Sequence, residues 1–155
     1  MIADIRIRSD GNSRSLCQLD LMRFSEEQVR ERMRVRGIED DAFFICGFVD
    51  WQVDTIMSLK EAYALKLCVM ELYEGDDYIV RYCLKRRLSV PYIISHYYEF
   101  VSKNEVETMQ KLLKYVDRTA IIEFFYKTNN WMNFVSQYVN QGILLNTPKG
   151  FYMTT

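Results

Sequence analysis

The chain has 155 residues, 49% hydrophobic and 26% charged, with two prolines and six glycines. That balance belongs to a folded globular chain and excludes extended disorder. Net charge is −1 and the sequence pI about 5.9, which argues against a dedicated, strongly basic nucleic-acid-binding domain.

The first residues, Met1-Ile2-Ala3-Asp4-Ile5-Arg6-Ile7-Arg8, alternate apolar and charged side chains and do not form the apolar core of an export signal. They predict a half-buried strand. Asp10-Gly11-Asn12 is a turn signal, and Ser15 to Met22 alternates less cleanly, so an antiparallel strand pair is expected. Ser25 with Gln28 forms a capping box, with Phe24 and Val29 placed as a hydrophobic staple. Glu26 and Glu27 suit the first turn of the helix, Arg34 and Arg36 its last, and Gly37 its end. Val29 and Met33 are expected to face inward. Residues 42–49 predict a third strand.

Ser58-Leu59-Lys60-Glu61 is a second capping box. The helix it opens runs to about Tyr73, with Ala62, Leu65, Val69 and Leu72 at helical spacing and Tyr63, Leu67 and Met70 widening the face, so heavy burial is expected. Glu74-Gly75-Asp76-Asp77 breaks it and caps a next helix, where Asp77 can pair with Arg81 and Lys85-Arg86-Arg87 closes the end. Ser89-Val90-Pro91 predicts a further helix through Val101, with Ile93, Ile94, Tyr97, Tyr98 and Val101 on its apolar side. Asn104 with Glu107 starts another. Residues 117–128 and 131–141 predict two more, and Gly142 ends the last. Ile143-Leu144-Leu145 and Phe151-Tyr152-Met153, around Thr147-Pro148-Lys149-Gly150, predict a closing hairpin.

The expected fold is α+β in three parts: an N-terminal sheet with one helix (1–55), a helical middle (56–103) and C-terminal helices plus a hairpin (104–155). No stretch approaches the roughly 18 apolar residues that span a bilayer, so a soluble, cytoplasmic protein is expected. Cys17, Cys46, Cys68 and Cys83 form no C-x-x-C pair and read as free thiols of a reducing compartment. One histidine, His96, is too few for a zinc site. A nucleophilic pairing of Cys83 with His96 has no orienting acid or motif behind it, and neither glycine-rich phosphate loop occurs. No catalysis, cofactor or metal is expected. Arg30 and Arg34 share a helix face and, with Lys85, Arg86 and Arg87, could contact phosphates; the same residues also suit helix ends and solvated faces.

Charge is unevenly distributed. Residues 1–38 hold 8 basic and 6 acidic side chains, and residues 39–77 hold 2 and 10. Residues 78–118 hold 8 and 4, and the rest hold 2 and 1. The acidic middle has two readings. One is a solvated face with helix caps. The other is an anionic surface that approximates the charge row of DNA and attracts a cationic cleft.

Several segments, in order, resemble the ArdA-type antirestriction proteins, small dimeric inhibitors that imitate bent DNA. They are the N-terminal strand pair and the helix Ser25–Arg36; Ala42-Phe43-Phe44-Ile45 through Phe48-Val49-Asp50; Val53-Asp54 with Ser58-Leu59-Lys60-Glu61-Ala62; and Gly142-Ile143-Leu144-Leu145-Asn146-Thr147-Pro148-Lys149-Gly150-Phe151-Tyr152. The family is strongly acidic throughout, whereas this chain is nearly neutral and holds its acids in one stretch. The resemblance implies inhibition of a type I restriction–modification enzyme by partial DNA mimicry. With the charge block it nominates Glu39, Asp40, Asp41, Asp50, Asp54, Glu61, Glu71, Glu74, Asp76 and Asp77 as the contact set. It also implies a homodimer, for which Trp131, Tyr138, Phe151 and Tyr152 could supply an aromatic interface. The alternatives are an anti-CRISPR or other anti-defence inhibitor using a specific protein–protein surface, and a small nucleic-acid-binding protein.

Overall fold

The computed structural model describes residues 1–128, 130 and 132–155. The fold is α+β, in two units, Met1–Ser95 and His96–Thr155. The boundary expected after residue 55 falls inside a strand, Val53–Met57.

In the N-terminal unit, β1 (Ile2–Ser9) and β2 (Asn12–Asp20) form a hairpin. Its two-residue loop is Asp10-Gly11, with φ of 45° and 81°. Positive φ at both positions matches the twist of the flanking strands, and glycine adopts it without strain. Pairing therefore begins at Ser9 and Asn12, and β2 starts and ends earlier than its alternation suggested. With β3 (Phe43–Phe48) and β4 (Val53–Met57) the sheet is antiparallel in the order β2-β1-β3-β4. β4 was not expected: five residues at a sheet edge carry too short a pattern to be distinguished from a loop. Ile5, Ile45 and Met57 form one buried cross-strand row, and Ala3, Phe48 and Val53 another.

The helix α1 (Glu26–Val35) begins at the expected capping box, with both of its hydrogen bonds present. It ends at Gly37, whose N–H bonds Arg34 O while the Ile38 N–H bonds Met33 O, the paired closure that needs a left-handed residue. Val29 and Met33 are buried. The Phe24 ring lies under the Arg32 guanidinium, 4.1 Å from its centroid. The helix α2 (Leu59–Leu72) also begins at a complete box, on Ser58 and Glu61. It buries Leu59, Ala62, Leu65, Cys68 and Val69. Heavy burial is corrected: Leu67 is 61% exposed and Met70 46%, and Leu72 is exposed too. A helix covered on one side hides only a stripe.

α3 (Tyr78–Lys85) and α4 (Val90–Ser95) follow, and α4 packs on α2. The helix expected through Val101 stops at Ser95, and Tyr98–Ser102 is a strand, β5. Aromatic and β-branched residues there fit a pleated surface, and pairing with a distant strand overrides the helical spacing.

The C-terminal unit continues with α5 (Glu105–Leu113), α6 (Arg118–Thr128), α7 (Met132–Asn140), β6 (Leu144–Thr147) and β7 (Gly150–Thr154). Its sheet is antiparallel, order β5-β7-β6, and β6-β7 is the expected hairpin. Val101, Leu112, Phe134, Val135, Leu144 and Phe151 make its core. Among the described residues no helix is long and apolar enough to cross a membrane.

Candidate functional site

Carboxylates define the candidate surface, and half of them are engaged within the fold. Asp40 sits 3.6 Å from Arg30 Nη1 and 3.5 Å from Arg34 Nη2. Arg30 also donates to Glu26 at 2.7 Å, and this hydrogen bond to the carboxylate raises the Arg30 pKa above its ordinary value. Asp50 accepts the Ile2 N–H at 2.7 Å through Oδ1 and meets the Met1 amine at 2.7 Å through Oδ2. Burial alone would raise the Asp50 pKa, but these donors outweigh it and hold the carboxyl below its usual value. Glu61 accepts the Ser58 N–H at 2.8 Å in its capping box.

Asp76 caps α3 by accepting the Tyr78 N–H at 2.9 Å. Asp77 does not pair with Arg81. Its Oδ2 accepts Trp51 Nε1–H at 2.7 Å, and Trp51 packs on Phe48 with ring centroids 4.8 Å apart. Arg81 instead lies 6.0 Å from the Tyr78 ring centroid. A buried indole needs one acceptor, and Asp77 supplies it.

Glu39, Asp41, Asp54, Glu71 and Glu74 are exposed, and their carboxylates have no partner among the described residues. Asp54 lies on the outer face of the sheet, where direct pairing sets Gln18, Asp4, Gly47 and Asp54 in one row. Gly47 has no room for a side chain, because a Cβ would stand 2.2 Å from Val53 O. Asp4 and Asp54 thus flank bare backbone, about two strand spacings or 9–10 Å apart. Arg6 and Arg8 sit on the same face; Arg6 donates to Ser13, and Arg8 lies over Phe44 and donates to Asp41 O. Leu67, Met70 and Glu71 lie at the spacing of one face of α2, and Glu74 stands beyond its end at a left-handed φ of 52°. Within residues 39–77 the only cations are Lys60 and Lys66. Lys66 donates to the Leu21 and Phe24 carbonyls at 2.7 and 3.3 Å.

Cys83 is buried, and desolvation followed by the neighbouring Cys68 pushes its thiol up to about 12, which disfavours the nucleophilic thiolate. Tyr63 is pushed up to about 12 by burial and by Glu26, and its hydroxyl donates to Phe24 O at 2.7 Å. Among the described residues no group of three His, Cys, Asp or Glu side chains is placed to hold a metal ion.

Of the aromatic set, Phe151 is buried in the core of its own unit and Tyr138 packs against that core. Tyr152 lies half-buried beside Phe100. Trp131 lies outside the described residues. Sequence reasoning missed Phe100 and Lys103: Phe100 fell in a segment read as the end of a helix, and Lys103 in the short gap before the next helix. Comparison with known proteins returns no match: no family model, no curated protein and no solved structure matches this chain.

Proposed function

We propose that the protein is an anti-defence inhibitor that presents an anionic surface of its N-terminal unit to the DNA-binding groove of a type I restriction–modification enzyme. The observation that carries the reading is the set of exposed carboxylates at Glu39, Asp41, Asp54, Glu71 and Glu74, which have no partner among the described residues and lie in a stretch with two lysines as its cations. A groove built for phosphates is attracted to such a surface and blocked by it. Asp40, Asp50, Glu61, Asp76 and Asp77 hold the fold together, so their part in binding is secondary. The action needs no bond-making. The homodimer remains part of the proposal; its interface would use surface other than Phe151.

The test is charge reversal. Asp41→Lys, Asp54→Lys, Glu71→Lys and Glu74→Lys in one chain should abolish inhibition of DNA cleavage by the enzyme while the circular dichroism spectrum stays unchanged. Inhibition that survives all four changes would overturn the reading.

A second reading, inhibition of another defence complex such as a CRISPR effector through a specific protein surface, draws on Leu67 and Met70, exposed on α2 with Glu71. Complex formation that barely weakens between low and high salt would favour it, since ions screen purely electrostatic mimicry.

A further inference from the structure

In the C-terminal sheet Phe100 pairs directly with Tyr152, and Tyr152 with Leu145. Direct partners share a sheet face, so the three side chains form a row. Phe151 and Met153 point the other way, into the core. Phe100 is 53% exposed, and its ring meets Tyr152 nearly edge to face, with centroids 5.4 Å apart. The Phe100 ring is therefore left largely in water on this face of the sheet.

Beside this row lies a cavity of about 540 Å³ whose lining includes Phe100, Lys103, Asn146, Lys149 and Tyr152. Small-molecule clefts fall in the same range, about 300–1,000 Å³. Two lysines line the cavity and no carboxylate does, among the described residues. The Lys103 ammonium has no partner among the described residues. Two hydrogen bonds and a close backbone approach hold the lip of the cleft. The Thr147 hydroxyl donates to Gly150 O at 2.8 Å and accepts the Lys149 N–H at 3.2 Å. Gly150, at φ 133°, lies so close to β5 that a Cβ would stand 2.7 Å from Ser102 O.

A flat ring, two cations and one primary amide are complementary to an aromatic base carrying a phosphate. We propose that this cleft binds a nucleotide unit: the base stacks on Phe100, Lys103 and Lys149 hold the phosphate, and Asn146 reads the base edge. An inorganic anion would leave the ring unused, and an acidic peptide has no need of it. The unit could arrive as a free nucleotide or as part of a single strand. This site lies in the other unit from the anionic surface, so either proposal can fail without the other.

The test uses the full chain at low salt. A fluorescent thymidine oligonucleotide of about ten nucleotides is titrated by anisotropy and AMP by calorimetry, with inorganic phosphate as competitor. Saturable binding of at least one is expected. Phe100→Leu, which keeps apolar bulk and removes the ring, should weaken it roughly tenfold. Lys103→Gln with Lys149→Gln should weaken it and flatten its salt dependence. Oligonucleotide binding that AMP cannot displace identifies a strand as the source; AMP binding that competes identifies the free nucleotide. The proposal is overturned if neither probe binds, if both variants bind like the parent, or if phosphate alone competes as well as AMP.

Discussion

In the N-terminal unit both long helices open at a serine that exchanges two hydrogen bonds with the residue three positions on. In the C-terminal unit Asn104 caps α5 through the Val106 and Glu107 N–H groups, but Glu107 turns away and accepts the Ser102 hydroxyl. The difference continues inward. The N-terminal unit packs α2 against neighbouring helices and the sheet, while α6 of the C-terminal unit has no buried residue at all. One unit commits its polar groups to its own closure and leaves a subset of carboxylates over. The other closes a smaller core and leaves the Phe100 ring half in water and the Lys103 ammonium without a partner among the described residues. Where a fold leaves chemistry unsatisfied indicates where each unit can meet something else.

The largest effect that would sharpen this contrast comes from equal cavities in the two cores. Leu65 in α2 and Leu144 in β6 are both fully buried, and truncation of either to alanine should cost about 2–5 kcal/mol. A core as small as that of the C-terminal unit supplies only about 3–5 kcal/mol. Leu144→Ala should therefore bring amide exchange in residues 96–155 to near-unfolded rates while the N-terminal sheet stays protected. Leu65→Ala should lower stability without local loss of the C-terminal sheet. Equal exchange throughout both variants would show that the units do not unfold separately.

A smaller contrast lies in two glycines. Gly47→Ala would place a methyl 2.2 Å from Val53 O, and Gly150→Ala one 2.7 Å from Ser102 O. Each should cost about 1–3 kcal/mol of overpacking. Gly150 alone adds backbone strain, since φ 133° is unfavourable for any side chain. Thermal melts should rank Gly150→Ala as at least equally damaging in spite of its looser contact; the reverse order would mean that the hairpin tip gives way easily.

Much of the fold was legible because its signals are local. Ser25 with Gln28, Ser58 with Glu61, and Gly37 announce helix ends through residues three or four positions apart. β5 was not legible. Its partner β7 lies some fifty residues further on, and Tyr97, Tyr98 and Val101 also satisfy helical spacing. The candidate surface was legible only in composition. Ten acids in residues 39–77 are countable in the sequence, but the arginines, the amide and amine, and the indole that occupy Asp40, Asp50 and Asp77 lie six or more positions away along the chain. Which carboxylates stay free is a tertiary property.

Asp50 offers an effect near 1 kcal/mol, the usual net worth of a lost hydrogen bond and somewhat below that of charged ones. Its folded pKa lies below the reference value of 3.8, so its stabilisation is complete above that value and is lost as pH falls through the lowered folded value. Asp50→Asn should be less stable than the parent at neutral pH, and the gap should close on acidification below about pH 4. A gap that stays constant in denaturant melts down to pH 2 would separate the effect from ionisation. Asp50 and both of its donors belong to the N-terminal unit, so the parent's loss of this increment should fall there.

The smallest expected effect tests what α6 is for. Tyr126 is 85% exposed and Ile122 50%, so neither supports the core of its own chain. Tyr126→Ser with Ile122→Ser should leave the stability of the isolated chain within about 0.5 kcal/mol, as surface changes do. A helix whose outer apolar residues carried hidden packing would respond several times more strongly in the same denaturant melt. A neutral result at low protein concentration, joined to a destabilisation that grows with concentration relative to the parent, would place those side chains against a second copy. Mass action adds stability only where association buries them in the folded state.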